Sequence, residues 1–138
     1  MRGPNQRAQA LVEWAASAFV LLLFGLGLLA VGQVVGEYMA IRAAATQAAF
    51  AAARAPSEAS AQSAGAQAAT EAIRGSQVQR FVLTIDTNGF QRGAILTATA
   101  SGCVSLEEFP IASQFLGQCV ALKWQSSTLA EPYRSRSA

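Results

Sequence analysis

The chain has 138 residues, of which 52% are hydrophobic and 13% are charged, with a formal net charge of +2 and no histidine. This composition excludes a highly charged disordered chain, and the scattered Lys and Arg residues form no basic stripe that would bind nucleic acid. The lack of histidine removes Ser-His and Cys-His nucleophiles and histidine-ligated metals. We therefore expect no enzymatic activity, no cofactor and no small-molecule substrate.

A long helix over residues 9–55 is the first predicted element, since it follows the breaker cluster Gly3-Pro4-Asn5 and meets no further proline before Pro56. Residues 15–35 carry no charge. At about 1.5 Å per residue this stretch is roughly 31 Å long, close to the ~30 Å hydrocarbon thickness of a bilayer. We predict a transmembrane span there. The preceding leader, residues 1–8, is basic, which places the N-terminus in the cytoplasm.

A secretory signal peptide is the alternative interpretation of this N-terminus. Its apolar core would have about 7 to 15 residues and end at a cleavage site. In this chain the apolar block is longer, Glu13 precedes it, and the helical pattern continues past it through Tyr38 and Ile41. Cleavage after Val35 is therefore the less favoured interpretation.

Glu13 lies one helical turn before the apolar block. Because a carboxylate is costly in lipid, its position predicts a specific partner. The alternative is a side chain that only reaches the headgroups. Within the span, Gly32 and Gly36 have the GxxxG spacing that allows close packing of membrane helices, although glycines are common in such helices by chance.

Alanine dominates the helix from Glu37 onward, which predicts either a narrow surface for a docked element or a helix with nothing docked. A second helix is predicted over Ala59–Arg74, with Ser57 as its N-cap and Gly75 as its left-handed C-cap. Its best apolar face comprises Ala66, Ala69, Ala72 and Ile73.

The hydrophobic period changes to two after Gln79, which predicts a strand. Its apolar face comprises Phe81, Leu83 and Ile85. Asn88-Gly89 indicates a two-residue type I′ hairpin, because both turn positions need positive φ. That turn would set Leu83 opposite Ala94 and Phe81 opposite Leu96, with a returning strand at 94–101.

A third strand is predicted at 120–125, in which Val120, Leu122 and Trp124 share a face. Cys103 and Cys119 flank the intervening loop and are predicted to form a disulfide, which would contribute about 3 kcal/mol; two unpaired thiols are the alternative.

The predicted fold is a membrane-anchored α+β protein: a long helix, a short helix and an antiparallel sheet of about three strands. The outer domain covers 56–131, and residues 132–138 form a flexible tail. Glu107-Glu108 is predicted to be a solvated turn, and Asp86 is predicted to be structural.

The run from Arg7 to Ala15, Arg-Ala-Gln-Ala-Leu-Val-Glu-Trp-Ala, resembles the N-terminal signature of TadE-like pseudopilins of the tight adherence (Tad) pilus, a type IV pilus relative. In that family a basic leader ends in a small residue, usually Gly, which is followed by four residues and then by Glu and an aromatic. Here Ala8 stands in place of Gly, and Trp14 in place of the usual Phe or Tyr. The membrane helix, the alanine-rich continuation and a small domain with an acid near its end, Glu131, are also similar.

The resemblance implies that a prepilin peptidase cuts between Ala8 and Gln9, and that Glu13 and Trp14 form an assembly contact. It also implies a minor pilus component in the bacterial inner membrane, with its C-terminal domain periplasmic or extracellular. The expected partners are the peptidase, other pilins or pseudopilins, the assembly platform and inner-membrane lipid.

Three rival functions fit the same N-terminal helix. A major pilin is one, but the extra 80 or so residues favour a minor component. A signal-anchored protein with a ligand-binding outer domain is the second, and a secreted enzyme or inhibitor, released by signal peptidase and beginning after Val35, is the third.

Overall fold

A computed structural model describes residues 4–91, 93–109, 113–114 and 117–130, with side chains from Ala8 onward. The elements are helices α1 (Pro4–Ala53) and α2 (Glu58–Ala72) and strands β1 (Val78–Asp86), β2 (Ile95–Ser105) and β3 (Cys119–Leu129), with a 3-10 turn at Asn88–Phe90. The three strands form one antiparallel sheet in the order β1-β2-β3. The predicted long helix, second helix and three-stranded antiparallel sheet are therefore confirmed.

Helix α1 begins at Pro4, five residues before the expected start at Gln9, and has 50 residues. Proline suits the first position of a helix because its fixed φ is helical and its missing N–H has no partner there in any case. Residues 4–8 of the predicted leader are consequently helical, and the prediction that Pro4 and Asn5 break the helix was wrong. The helix ends at Ala53, three residues before Pro56.

Helix α2 begins at a reciprocal cap. The Ser60 N–H donates to Ser57 Oγ at 3.3 Å, and the Ser57 N–H donates to Ser60 Oγ at 2.9 Å. Both bonds satisfy amides that have no partner within the helix. Gly75 has a φ of +85°, so its predicted left-handed conformation is confirmed, but α2 ends at Ala72 with Ile73 as its C-cap, two residues before the predicted end at Arg74.

The face that α2 buries differs from the predicted one. Ala61, Gly65 and Ala69 are buried, whereas Ala66 is exposed, so the assignment of Ala66 to the apolar face was wrong. A Cβ on Gly65 would lie 3.1 Å from the carbonyl oxygen of Ala48 on α1. Close approach of the two backbones therefore selects the buried face, and residue hydropathy alone does not.

The β1–β2 register corrects the predicted hairpin. Leu83 lies opposite Ala100, not Ala94. The connection is longer than two residues, since β1 ends at Asp86 and β2 begins at Ile95, and within it Asn88, Gly89 and Phe90 have φ values of +46°, +77° and +49°. The register differs from the predicted one by six residues. Because side chains alternate between the two faces of a strand with a period of two, an even difference leaves each side chain on its predicted face. Leu96, Ala98 and Ala100 are fully buried.

Both helices lie on one face of the sheet, and the core between them is mostly alanine. The buried residues of α1 there include Ile41, Ala44, Ala45, Ala48, Ala49 and Ala52. Phe81, Leu83, Ile85, Leu122 and Trp124 pack against this cluster from the outer strands, as their alternation predicted. The alanine-rich half of α1 is thus the central element of the domain, and a helix with nothing docked is excluded.

Strand β3 continues to Leu129, beyond the predicted end at Gln125. The predicted tail, 132–138, and Glu131 lie outside the described residues. Thr87, in the β1–β2 connection, is buried and donates through Oγ1 to Glu58 Oε1 at 2.6 Å, which ties the connection to the start of α2.

Candidate functional site

The predicted processing and assembly residues share the exposed N-terminal part of α1. Ala8, Gln9, Glu13 and Trp14 are all exposed, and Trp14 is 73% exposed. Gln9 Nε2 donates to Glu13 Oε1 at 3.3 Å, so the two side chains lie on one helix face, one turn apart. Ser17 Oγ donates to the carbonyl oxygen of Glu13 at 2.8 Å. This geometry leaves the Glu13 carboxylate accessible to a second molecule.

Every residue from Ala8 to Leu29 is exposed. The large apolar side chains include Leu21 at 71%, Phe24 at 67% and Leu29 at 65% exposure. They surround the helix on all sides, since no described part of the chain packs against this stretch. Among the described residues, α1 is the one helix that is long and apolar enough to cross a membrane.

The domain meets α1 inside the predicted span. Ala30 is only 8% exposed, although its neighbours Leu29 and Val31 are 65% and 60% exposed. Three residues further on, Gln33 Nε2 donates to Gln77 Oε1 at 2.8 Å. One side of the helix is therefore already covered by the domain over the last six residues of the predicted span, 15–35.

Glu37 completes a polar junction between α1 and the start of β1. Its Oε1 accepts the N–H of Gln77 at 3.0 Å, while its Oε2 is buried without a hydrogen-bond partner among the described residues. Gln33, Glu37 and Gln77 thus fix the domain to one side of the helix, while Val35 and Met39 stay exposed at 48% and 58%. Sequence reasoning missed this junction, although two polar residues at i and i+4 in an apolar helix were a usable signal.

Gly32 and Gly36 lie on exposed parts of α1. A Cβ at either position would meet no atom within 4 Å. Neither glycine is therefore required by packing within the chain, and the predicted role in packing a second helix stays a prediction.

Cys103 and Cys119 form a disulfide, with 5.7 Å between their Cα atoms. Cys103 lies within β2, two residues before its end, and Cys119 is the first residue of β3. The bond therefore joins neighbouring strands at the end of the sheet where the loop between them begins and ends. The predicted pair is confirmed, and two unpaired thiols are excluded.

The remaining acidic residues show no arrangement for catalysis within the described part of the chain. Asp86 Oδ1 accepts the N–H of Asn88 at 3.0 Å, which is a turn-forming role. Glu107 and Glu108 are exposed in a turn, beside a cleft of about 410 Å³ that is also lined by Gln77 and Gln79. Among the residues described, no three His, Cys, Asp or Glu side chains gather to hold a metal ion.

Arg42, Tyr38 and Trp124 form a further cluster that the sequence patterns did not connect. The Arg42 guanidinium carbon lies 5.1 Å from the centre of the Trp124 ring, and the Tyr38 ring meets Trp124 edge to face at 5.7 Å. Tyr38 and Arg42 are four residues apart on α1, whereas Trp124 comes from β3. No spacing within the sequence indicated that contact.

Comparisons with protein-family models, with curated proteins and with solved structures find no match to this chain.

Proposed function

We propose that the chain is a minor, pseudopilin-like component of a Tad or type IV-like pilus assembly apparatus, acting in pilus biogenesis and surface adhesion. It is anchored by one helix in the bacterial inner membrane, with the disulfide-bonded domain outside the cytoplasm. The observation that carries the proposal is the division of one continuous helix into an exposed apolar half and a half packed in the domain. The resemblance of residues 7–15 to TadE-like pseudopilins supplies the specific function.

The exposed stretch of α1 supports a membrane span nearer the N-terminus than residues 15–35. Residues 8–29 are all exposed and, at about 1.5 Å each, would be roughly 33 Å long, enough to cross the hydrocarbon layer. Such a span places Glu13 inside the apolar layer. An ionised carboxylate there requires a partner with the opposite charge.

Cleavage between Ala8 and Gln9 would supply that partner. The new α-amino group of Gln9 is a cation and lies one helical turn from Glu13. Glu13 of one subunit can then pair with the amine of a neighbour, which favours one axial register between subunits. Removing one member of a buried ion pair typically costs about 3 to 5 kcal/mol, enough to prevent assembly.

Mass spectrometry of the membrane-bound protein tests the processing step. We expect a mature N-terminus at Gln9 in a strain with an active prepilin peptidase, and the intact leader in a strain that lacks the peptidase. A chain that keeps Met1 in both strains would disprove the cleavage.

The assembly role of Glu13 is tested by Glu13→Ala in the same strain. We expect the variant to remain in the membrane and pilus assembly to be lost. Glu71→Ala is the matched control, because Glu71 is an exposed acid on α2, away from the exposed part of α1, and forms an ion pair with Arg74 at 2.8 Å. Normal pili in the Glu13 variant would refute the proposed contact.

A signal-anchored protein with an extracytoplasmic ligand-binding domain and no assembly role is the second candidate. The open polar cleft beside Glu107 and Glu108 favours it. Cell fractionation separates the two functions: a plain anchor stays uncut at Ala8 and is absent from sheared surface filaments.

A further inference from the structure

Strand β3 forms one edge of the sheet and has neither a proline nor a bulge, and Lys123 is its one charged residue. Its eleven residues pair with β2 in one unbroken register, from Leu129 opposite Ile95 to Cys119 opposite Ser105. None of the eleven residues is buried, and the strand contains no proline. A regular, accessible edge of this kind can accept a further strand through its free N–H and C=O groups.

The opposite edge, β1, is protected. Its pairing with β2 shifts between Gln79 and Val82, and Arg80 in between adopts a φ of +51°. Such a bulge bends the strand and interrupts the row of backbone groups. An added strand is therefore expected at β3 and not at β1.

Two cations lie on either side of β3 near its middle. Lys123 is exposed on the open face of the sheet, and Arg42 reaches from α1 over the ring of Trp124 on the face that carries the helices. In the part of the chain that the structure describes, the one ion pair joins Arg74 and Glu71, so neither cation has a carboxylate partner there.

We propose that β3 binds an extended segment of another protein as a fourth strand, and that this segment carries two consecutive acidic residues. Successive residues of a strand point to opposite faces of the sheet. One acid would therefore pair with Lys123 on the open face, and the next with Arg42 on the helix face. Backbone hydrogen bonds supply affinity in this mode of recognition, and side chains supply specificity.

The charges disfavour two other occupants of the edge. Residues 131–138 of this chain contain two arginines and one glutamate, so they bring mainly the wrong sign. Strand β3 of a second copy carries Lys123 as its single ionisable side chain outside the disulfide and would bring two lysines together. The proposal concerns the domain alone and does not depend on pilus assembly.

The test uses the full chain in detergent micelles, with Trp14→Phe so that Trp124 is the single tryptophan. The probe is a blocked ten-residue peptide in which threonine and valine alternate around a central Glu-Asp pair, and the control peptide has Lys-Lys at the centre. We expect the acidic peptide to shift Trp124 fluorescence, to slow amide hydrogen exchange in β3, and to bind at least about tenfold more tightly than the control peptide.

Variants separate charge recognition from a general affinity for peptides. Arg42→Gln with Lys123→Gln should reduce the tenfold preference to nearly none, whereas Arg74→Gln with Arg80→Gln, which removes two cations elsewhere, should leave it unchanged. Unaltered hydrogen exchange in α2 would verify that each variant is folded.

Four results would overturn the proposal: equal affinity for the two peptides, slowed exchange in β1 instead of β3, no binding up to millimolar peptide, or a dimer of the chain through β3 that excludes the acidic peptide.

Discussion

The two halves of helix α1 differ in a way that hydrophobicity alone does not predict. The more hydrophobic half is exposed, and the alanine-rich half is buried. Residues 8–29 are rich in leucine, valine and phenylalanine and are exposed throughout, whereas the alanine-rich residues 41–53 include seven of the 18 buried hydrophobic residues in the described part of the chain. Alanine has little apolar surface to remove from water, but its small side chain lets α2 and the sheet approach the backbone closely. The large side chains of the first half have no such partner within the described chain. In this molecule the buried residues are therefore those whose small side chains allow close packing. The exposed apolar half needs an environment other than water.

Chemical labelling across the boundary between the halves should give the largest contrast. If the membrane span ends near Leu29, Val35→Cys will react with a membrane-impermeant maleimide added outside the cell, and Leu26→Cys will not. Both positions are partly exposed in the chain, at 48% and 42%, and the native cysteines are joined to each other. Protection of both new thiols would instead support a span over residues 15–35.

Truncation of one large side chain in each half should separate the halves by stability. Ile41 is fully buried, so Ile41→Ala should lower the free energy of unfolding of the domain by about 2 to 5 kcal/mol. Leu21 is 71% exposed, and Leu21→Ala should change it by less than about 0.5 kcal/mol. Urea unfolding followed by Trp124 fluorescence in the Trp14→Phe background measures both. Similar losses would mean that the exposed half contributes to domain folding.

Replacing glycine by alanine should destabilise the packed domain and leave the exposed helix unaffected. A Cβ on Gly65 would collide with the side chain of Ile85 and lie 3.1 Å from the Ala48 carbonyl oxygen, whereas one on Gly25 would meet nothing within 4 Å. Gly65→Ala should therefore cost about 1 to 3 kcal/mol of domain stability. Gly25→Ala should cost none, and an equal loss would contradict the close packing of α2 on α1. The same unfolding experiment compares them.

The junction between the halves should show a smaller effect. Glu37→Ala removes the acceptor for the Gln77 N–H and should cost about 1 kcal/mol. Glu37→Gln keeps an acceptor at the same place and should cost less. Hydrogen exchange at the Gln77 amide should accelerate in the alanine variant alone, and a protected amide there would show that the bond is dispensable.

Replacing the cation at Trp124 should have the smallest effect. Arg42→Gln removes a partly exposed cation–aromatic contact at 5.1 Å, worth about 0.5 to 1 kcal/mol. Trp124 fluorescence should change with it. Lys123→Gln, at an exposed side chain with no contact to the ring face, is the control and should leave the emission unchanged.

Patterns that repeat locally gave correct predictions for much of the fold. The cap at Ser57, the left-handed Gly75 and the alternation in β1 and β3 each depend on neighbours a few residues away, and the structure confirms them. The predicted β1–β2 register was wrong because the turn extends to Phe90. A two-residue motif does not indicate such an extension, which depends on the tertiary structure. The predicted buried face of α2 was wrong at Ala66, because the close contact with α1 buries Gly65 instead.

By itself, the sequence determined that an unbroken apolar helix precedes an alanine-rich one, that three strands follow, and that two cysteines flank their last connection. These features depend on hydrophobic period, proline and glycine positions, and composition, all of which act locally. Tertiary structure alone decided where the domain meets the helix, at Ala30, Gln33 and Glu37, and which cations lie beside the free edge of β3. Those facts join residues far apart in the chain, and their geometry is set by how closely small side chains let the elements approach.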